Sequence, residues 1–289
     1  MSVGGLSEFL DVLLTAESGL DPSRTDWYEA NLDKVVLRYW AVSLSGEILR
    51  DSKTGSPILE DVTVAQYFDR LGVRDLANAI NADAIRRARY AATNPWGFIG
   101  YQLGEALLLE TGHYEAERVV CLDEEFNQIS VRSFYSGDVS NCRWANGKRL
   151  TLHRPYQRSE MVLAAHVNQW RGTFTGLDGL CSLADLKTPC VQERVFIRIL
   201  RHNCRKLLGL LDSGIDELKK RLTAANAPNR YTLSGCLAAC HLCGVEGTSL
   251  YLLSGQEASD ETGTTLSSYM RRFSGFSIER ELFIGEMIQ

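Results

Sequence analysis

Helical periodicity dominates the sequence on both sides of a single region of strand-like alternation. Apolar residues recur at three- and four-residue spacing near the N-terminus and again through the C-terminal half. Between about residues 115 and 155, β-branched and aromatic residues alternate instead, which predicts a hairpin or a small sheet. Strands and helices do not alternate along the chain, and the sequence shows no internal repeat. It therefore predicts a mainly α fold with a minor β element, in the α+β class.

Most of the chain outside the strand-like region is predicted to be helical. Residues 33–49 are an exception, because their apolar and aromatic run suits a helix or a strand equally well. Asn94 and Pro95 end one predicted helix, and a Gly-rich loop that starts at Gly97 leads into the next. Beyond the first, the predicted helices lie at residues 64–71, 75–92, the end of 97–109, 159–170, 192–211, 215–225, 232–242 and 266–273.

The composition argues against nucleic acid as a partner and against a membrane-spanning segment. The 289 residues are 45% hydrophobic and 23% charged, which is enough apolar material to close a core. The net charge of −5 is unlike that of proteins that bind phosphate backbones. Basic runs at residues 86–90 and 270–273 are predicted to be solvated helix faces. No apolar run approaches the ~20 residues of a membrane-spanning helix, so no membrane span is predicted.

An acidic residue closes the apolar face of the first predicted helix, just before Gly19 and Pro22 must end it. A buried position and the negative end of the helix dipole both predict a raised pKa for this residue, Glu17. A carboxyl that keeps its proton near neutral pH can donate that proton to a glycosidic oxygen. The structural alternative is a glutamate whose carboxylate simply reaches solvent. The residues that share the face are Leu6, Leu10, Leu13, Leu14 and Glu17.

Residues 17–22, E-S-G-L-D-P, resemble the E-S-x-[FL]-[DN]-P signature of the lytic transglycosylases and goose-type lysozymes, which cleave the glycan strands of peptidoglycan. The resemblance implies a lysozyme-like fold in which Glu17 is the catalytic acid and base and Ser18 supports the site. Asp21, beside Pro22, is predicted to form a turn.

Two later segments are similar to further motifs of the same family. Residues 97–102 are similar to G-A-x-G-L-M-Q, and residues 239–252 to A-A-Y-N-A-G-P-G-x-V-x-x-W-L, with His241 at the position of the family's tyrosine. Glu17 and Gln102 lie 85 positions apart, which exceeds the family's spacing. We therefore expect one lysozyme-like domain, 1–289, with an inserted segment at about 27–94 and a β-containing insertion at about 115–155. The resemblance implies that the substrate-binding residues are Ser18, Gly100, Tyr101, Gln102, His241 and Tyr251.

The implied reaction is cleavage of the β-1,4 bond between N-acetylmuramic acid and N-acetylglucosamine, by a muramidase or a lytic transglycosylase, without a cofactor. Glu17 donates a proton to the leaving oxygen and then serves as a base. Hydrolysis and anhydro-sugar formation remain open, because only an inverting hydrolase needs a second carboxylate. The candidates for that carboxylate are Asp26, Asp33 and Glu105.

The N-terminus lacks the basic segment of a secretory signal peptide. Together with the resemblance, this favours a protein that acts in the periplasm or cell wall after delivery by a secretion machine or a phage. Such an antibacterial toxin implies a cognate inhibitor protein as a partner. Two other functions stay open, a non-catalytic glycan-binding or structural component on the same fold, and a chitinase- or chitosanase-like glycosidase.

The cysteines offer a competing interpretation. Cys236, Cys240 and Cys243 spell C-x3-C-x2-C, a pattern of metal-cluster ligands, but the same spacing places buried structural thiols on one helical face. Cys181 and Cys190 lie in a loop-like stretch where they can pair. We expect no metal site.

Overall fold

The computed structural model describes residues 3–41, 49–56, 58–71, 80–122, 126–135, 162–165, 167–211, 214–223, 231–259 and 263–283. The chain forms two compact units, which we call the central unit (Thr15–Gln192) and the terminal unit (Met1–Leu14 with Glu193–Gln289). About 52% of the described residues are helical and about 17% are extended, which confirms the mainly α, α+β class. Both predicted insertions fall within the central unit, and the single lysozyme-like domain stays a prediction.

Helix α1 (Leu6–Ser18) begins in the terminal unit and ends in the central unit. Its predicted apolar face is confirmed for the four leucines, which are buried together with Phe9. Gly19 ends the helix with a φ of 68°, a conformation that glycine adopts without steric cost. The last turn of α1, which carries Glu17, is therefore built as the sequence indicates.

The central unit contains five more short helices and seven strands among its described residues. The helices are α2 (Thr25–Glu29), α3 (Val64–Arg70), α4 (Ala82–Ala91), α5 (Glu105–Glu110) and α6 (Leu183–Leu186). The strands are β1 (Val35–Trp40), β2 (Leu59–Thr63), β3 (Tyr114–Glu115), β4 (Glu117–Leu122), β5 (Gln128–Tyr135), β6 (Val162–Ala165) and β7 (Thr173–Phe174).

Strand pairing shows the secondary structure of one region where helix and strand were equally expected, and it corrects a predicted helix in another. Within the ambiguous run at 33–49, residues Val35–Trp40 form β1, which pairs antiparallel with β2 before Thr63 caps α3, and residues 42–48 lie outside the described residues. The predicted hairpin is confirmed as β4 and β5, while residues 136–155 of that region lie outside the described residues. The predicted helix at 159–170 is wrong. Of its described residues, Val162–Ala165 form β6 parallel to β5, because a short fully buried run carries no period that separates strand from helix.

The terminal unit is helical in its described part. Its helices are α7 (Pro189–Leu210, which begins in the central unit), α8 (Ile215–Leu222), α9 (Leu233–Ser254), α10 (Leu266–Arg272) and α11 (Glu279–Leu282). The first eight residues of α9 are all buried, and Gly244 interrupts the helix with a φ of 76°. By length and apolar composition alone, α9 is the one helix of the described residues that suits a membrane span, a test that core helices of soluble proteins also pass.

Close packing of α9 on α10 depends on Gly235, and we expect Gly235→Ala to lower the free energy of unfolding by about 1–3 kcal/mol. A methyl group there would overlap the carbonyl oxygen of Met270 and the hydroxyl of Ser274. Gly247→Ala on the same helix is the control. Its added carbon would lie 3.6 Å from Cys243 Cβ, so the better helix propensity of alanine should leave stability equal or raise it by up to about 1 kcal/mol. Urea unfolding measures both, and equal effects would contradict the prediction.

Two of the three cysteines of α9 fit the structural interpretation, whereas Cys243 is only partly buried. Cys236 and Cys240 are buried, and their mutual hydrogen bond, with burial, raises the pKa of the Cys236 thiol well above its usual value. This disfavours the thiolate that a metal requires. In the part of the chain that the structure describes, no three His, Cys, Asp or Glu side chains are grouped to hold a metal ion. Cys181 and Cys190 are exposed free thiols rather than a disulfide.

Candidate functional site

The C-terminal end of α1 is joined to a loop far along the sequence. The side-chain amide of Gln102 donates from Nε2 to the backbone carbonyl of Glu17 at 2.7 Å. Glu17 itself is partly buried. The structure therefore brings together the two segments of the central unit that carry the first two motifs, although 85 residues separate them.

The turn after α1 is closed by local hydrogen bonds. Ser18 Oγ accepts from the backbone N–H of Leu20 at 3.2 Å. Asp21 accepts from the backbone N–H of Ser23 at 2.9 Å and from its hydroxyl at 2.7 Å, and these bonds lower the pKa of Asp21. Asp21 thus forms the turn that its place beside Pro22 predicts, and Ser18 supports the chain just beyond Glu17.

The loop of residues 93–103, which we call the Gln102 loop, folds into two successive tight turns. The backbone N–H of Asn94 donates to the Phe98 carbonyl at 3.0 Å, and Ile99 and Leu103 exchange both of their backbone hydrogen bonds. The chain can turn this sharply because Gly97 and Gly100 adopt φ values of 78° and 59°. The loop ends where α5 begins.

Asn94 organises the Gln102 loop from inside. Its Oδ1 accepts from the backbone N–H groups of Trp96 at 2.9 Å and Phe98 at 3.1 Å. Its Nδ2 donates to Gln102 Oε1 at 2.6 Å. Gln102 has a φ of 58°, which is uncommon for a residue other than glycine, and strain of this kind clusters at functional sites.

A buried carboxylate follows the Gln102 loop directly in the sequence. Glu105, at the first position of α5, is 1% exposed, and four protein donors surround its two oxygens. Burial raises the pKa of Glu105 above its ordinary value, and the hydrogen bonds only partly offset this. The donors are the hydroxyl of Tyr114 at 2.8 Å and the backbone N–H groups of Trp170 at 2.9 Å, Tyr135 at 3.1 Å and Gln169 at 3.3 Å.

Asn168 connects the backbone of Glu105 with the Gln102 loop. Its Oδ1 accepts from the backbone N–H of Glu105 at 2.7 Å. Its backbone N–H and its Nδ2 both donate to the carbonyl of Trp96, each at 2.8 Å. The indole N–H of Trp170 adds a bond to the carbonyl of Gly97 at 3.0 Å. Hydrogen bonds thus run from Glu105, through the loop, to the end of α1.

A buried guanidinium also lies near the end of α1. Arg89 of α4 is 2% exposed and donates from Nη1 to Thr15 Oγ1 at 2.7 Å. Its positive charge contributes to the lowered pKa of Asp21. The predicted solvated face of residues 86–90 is correct for the exposed Arg86 and Arg87 and wrong for Arg89, which lies on the buried side of the helix.

The predicted subsite residues of the Gln102 loop differ in their surroundings. Tyr101 is fully buried and packs edge-on against Tyr90, so it cannot line a sugar subsite. Gly100 is buried, and a side chain there would overlap the amide of Gln192. Both residues build the interior of the loop, while Gln102 remains partly buried beside Glu17.

The three candidate second carboxylates also differ. Four donors occupy the buried oxygens of Glu105, which therefore cannot activate a water molecule and is not retained as a catalytic candidate. Asp26 and Asp33 are exposed, one on α2 and one in the turn that follows it. These two stay predictions.

The remaining predicted residues belong to the terminal unit. His241 is partly buried on α9, and its ring meets Phe196 edge-on at 5.0 Å. The hydroxyls of Tyr251 and Tyr231 lie 3.2 Å apart, and burial together with this contact raises the pKa of Tyr251. Their predicted roles, in lining a subsite and in supporting the helix pair, stay predictions.

The sequence does not predict the structural roles of four polar residues near the site, Arg89, Asn94, Asn168 and Tyr114. Its Asn-Pro sequence predicts that Asn94 ends a helix, although asparagine also favours hydrogen bonds to nearby backbone groups.

Comparison with protein-family models, with curated proteins and with solved structures identified no match.

Proposed function

We propose that this protein cleaves the glycan strands of peptidoglycan at the bond between N-acetylmuramic acid and N-acetylglucosamine, with Glu17 as the general acid and base on a lysozyme-like fold. The observation that carries the proposal is the 2.7 Å hydrogen bond from Gln102 to the carbonyl of Glu17. It joins two segments whose sequences are each similar to motifs of one glycosidase family. Glu17 is partly buried, so it is not enclosed in the core of the unit.

In the proposed reaction, the Glu17 carboxyl gives its proton to the bridging oxygen as the bond from that oxygen to the muramyl C1 breaks. The leaving N-acetylglucosamine departs as an alcohol. The Glu17 carboxylate then takes a proton from the group that attacks C1, either a water molecule or the muramyl sugar's own hydroxyl. Water yields a reducing end, and the internal hydroxyl yields an anhydro end.

The requirement for a second carboxylate separates these two outcomes. An inverting hydrolase needs a base about 6.5–9.5 Å from the acid, with room for a water molecule between them. Asp26 and Asp33 remain the candidates, because Glu105 is enclosed by protein donors. If anhydro ends predominate, Glu17 alone carries both proton transfers.

The proposal includes a place of action. A protein that cleaves peptidoglycan acts in the periplasm or cell wall, and delivery by a secretion machine or a phage particle fits a role as an antibacterial effector or lysin. A cell that makes such an effector needs a cognate inhibitor protein, which we propose as a partner. Co-purification of the chain with a neighbouring gene product that blocks wall lysis would support this part of the proposal.

Parallel digestion of purified peptidoglycan and chitin tests the reaction. We expect muropeptide fragments from peptidoglycan, identified by mass spectrometry, with anhydro ends lighter by one water than hydrolysed ends. Fragments from chitin alone would favour the chitinase alternative. Binding to peptidoglycan without fragments would favour a glycan-binding component and would contradict the enzyme assignment.

A further inference from the structure

We infer that Gln102 and Asn94 are positioning residues, which fix the end of α1 and thereby aim the Glu17 carboxyl. The catalytic consequence rests on the proposed function, whereas the structural consequence does not. The family resemblance implies that Gln102 binds a sugar, whereas its hydrogen bonds in the structure favour a positioning role.

Both polar atoms of the Gln102 amide are used within the protein. Nε2 donates to the carbonyl of Glu17 at 2.7 Å, and Oε1 accepts from Asn94 Nδ2 at 2.6 Å. The opposite orientation of this amide would set its NH2 group against the donor of Asn94. The network therefore assigns one orientation of the Gln102 amide.

The carbonyl of Glu17 needs such a donor. The last four carbonyls of an α-helix lack the N–H partners that the next turn would supply, and α1 ends at Ser18. Gln102 supplies a donor from a distant part of the chain. Since the side chain of Glu17 leaves the same residue, the bond that holds its carbonyl also restricts the origin of its carboxyl.

The Gln102 loop can act as a rigid support because Asn94 fastens it internally. Asn94 Oδ1 accepts two backbone N–H groups of the loop, while its Nδ2 holds the Gln102 side chain. These bonds offset the cost of the positive φ at Gln102. Asn168 then ties the loop to the backbone of Glu105 through the carbonyl of Trp96.

Gln102→Glu and Gln102→Met separate the two bonds of this residue. The glutamate variant keeps an acceptor for Asn94 but cannot donate to the Glu17 carbonyl, and the methionine variant loses both bonds. Gln66→Met is the matched control. Gln66 accepts from the backbone N–H of Thr63 at 2.9 Å on α3, so its loss removes a comparable bond away from Glu17.

Two measurements are made on the full chain. The first is hydrogen exchange by mass spectrometry over residues 15–20, compared with residues 64–70. The second is kcat and KM on a soluble fragment of alternating N-acetylglucosamine and N-acetylmuramic acid. We expect both Gln102 variants to exchange faster at residues 15–20 and to lose roughly tenfold in kcat, with KM changed less than twofold. Gln66→Met should change exchange only at α3.

Each outcome decides one part of the inference. A raised KM with unchanged kcat would mean that Gln102 contacts the sugar, and it would overturn the positioning role. Unchanged exchange at residues 15–20 would overturn it as well. If the wild-type chain cleaves no glycan, the proposed function fails, and faster exchange at residues 15–20 in the variants would still support the hold of Gln102 on α1.

Discussion

Replacement of Glu17 by glutamine should reduce glycan cleavage by about 10²–10⁴-fold, the contribution usual for a general acid and base. The amide has nearly the same shape as the carboxyl but cannot transfer a proton to the leaving oxygen. Gln102 bonds the backbone carbonyl of residue 17 rather than its side chain, so this link survives the substitution. We therefore expect a loss of kcat without a loss of folded protein, measured by fragment release and by urea unfolding of the same preparation.

Glu29→Gln is the matched control for this experiment. Glu29 is exposed at the end of α2 in the same unit, so its variant removes the same charge without touching the end of α1. It should keep wild-type activity. A Glu17→Gln variant that retains more than a tenth of the activity would assign the proton donor to another residue and contradict the proposed mechanism.

The paired variants Asp26→Asn and Asp33→Asn extend the same measurement. If either loses activity as severely as Glu17→Gln and the wild-type products carry reducing ends, that residue is the second carboxylate of an inverting hydrolase. If neither loses activity and the products carry anhydro ends, one carboxyl is sufficient.

Where the sequence predicted the structure well, the signals were local. The end of α1 follows from an apolar period that stops at a glycine and a proline, and the predicted start of α3 at residue 64 is confirmed, with Thr63 and Gln66 forming a capping box there. The predicted helix at 232–242 is confirmed as the first part of α9, which Gly244 interrupts just beyond the predicted end. Each of these features depends on residues within a few positions along the chain.

The predictions that the structure contradicts fail for a different reason. Val162–Ala165 is a strand because it pairs with β5, some thirty residues earlier in the sequence. Tyr101 resembles a subsite residue by its motif, yet folding buries it completely against Tyr90. Arg89 is buried while Arg86 and Arg87 are exposed, because Arg89 lies on the side of α4 that packs inward. No local pattern reports such long-range partners.

Glu105 is the clearest case, because the sequence offered it as a catalytic base. A glutamate in the first turn of a short helix is ordinarily favoured by the helix dipole and left exposed. Its partners lie 9, 30, 64 and 65 residues away, and only the folded chain assembles them. Glu105 therefore has a structural role, and we expect its replacement to have the largest effect on the free energy of unfolding.

We expect Glu105→Leu to lower the free energy of unfolding by about 3 kcal/mol or more, since each buried donor left without an acceptor costs about 1–3 kcal/mol. Leucine has a similar volume and leaves all four donors unpaired, although it also removes the cost of burying a charge. Glu105→Gln keeps one acceptor oxygen and should fall between leucine and wild type. Urea unfolding at constant pH gives the three values, and Glu115→Leu, at an exposed position on β3, should change stability by less than about 0.5 kcal/mol.

The pH dependence of the same variants tests the charge on Glu105. Burial raises the pKa of Glu105 in the folded state above the 4.5 of the unfolded chain. Between these two pKa values the folded state binds more protons than the unfolded state, so this contribution to stability is complete below the unfolded pKa and is lost as the pH rises through the folded pKa. The stability difference between wild type and Glu105→Leu should therefore narrow as the pH rises from 4.5 through that window. A difference that instead widens as the pH rises toward 4.5 and then stays constant would mean that the four hydrogen bonds outweigh burial and that the folded protein favours the ionised carboxylate.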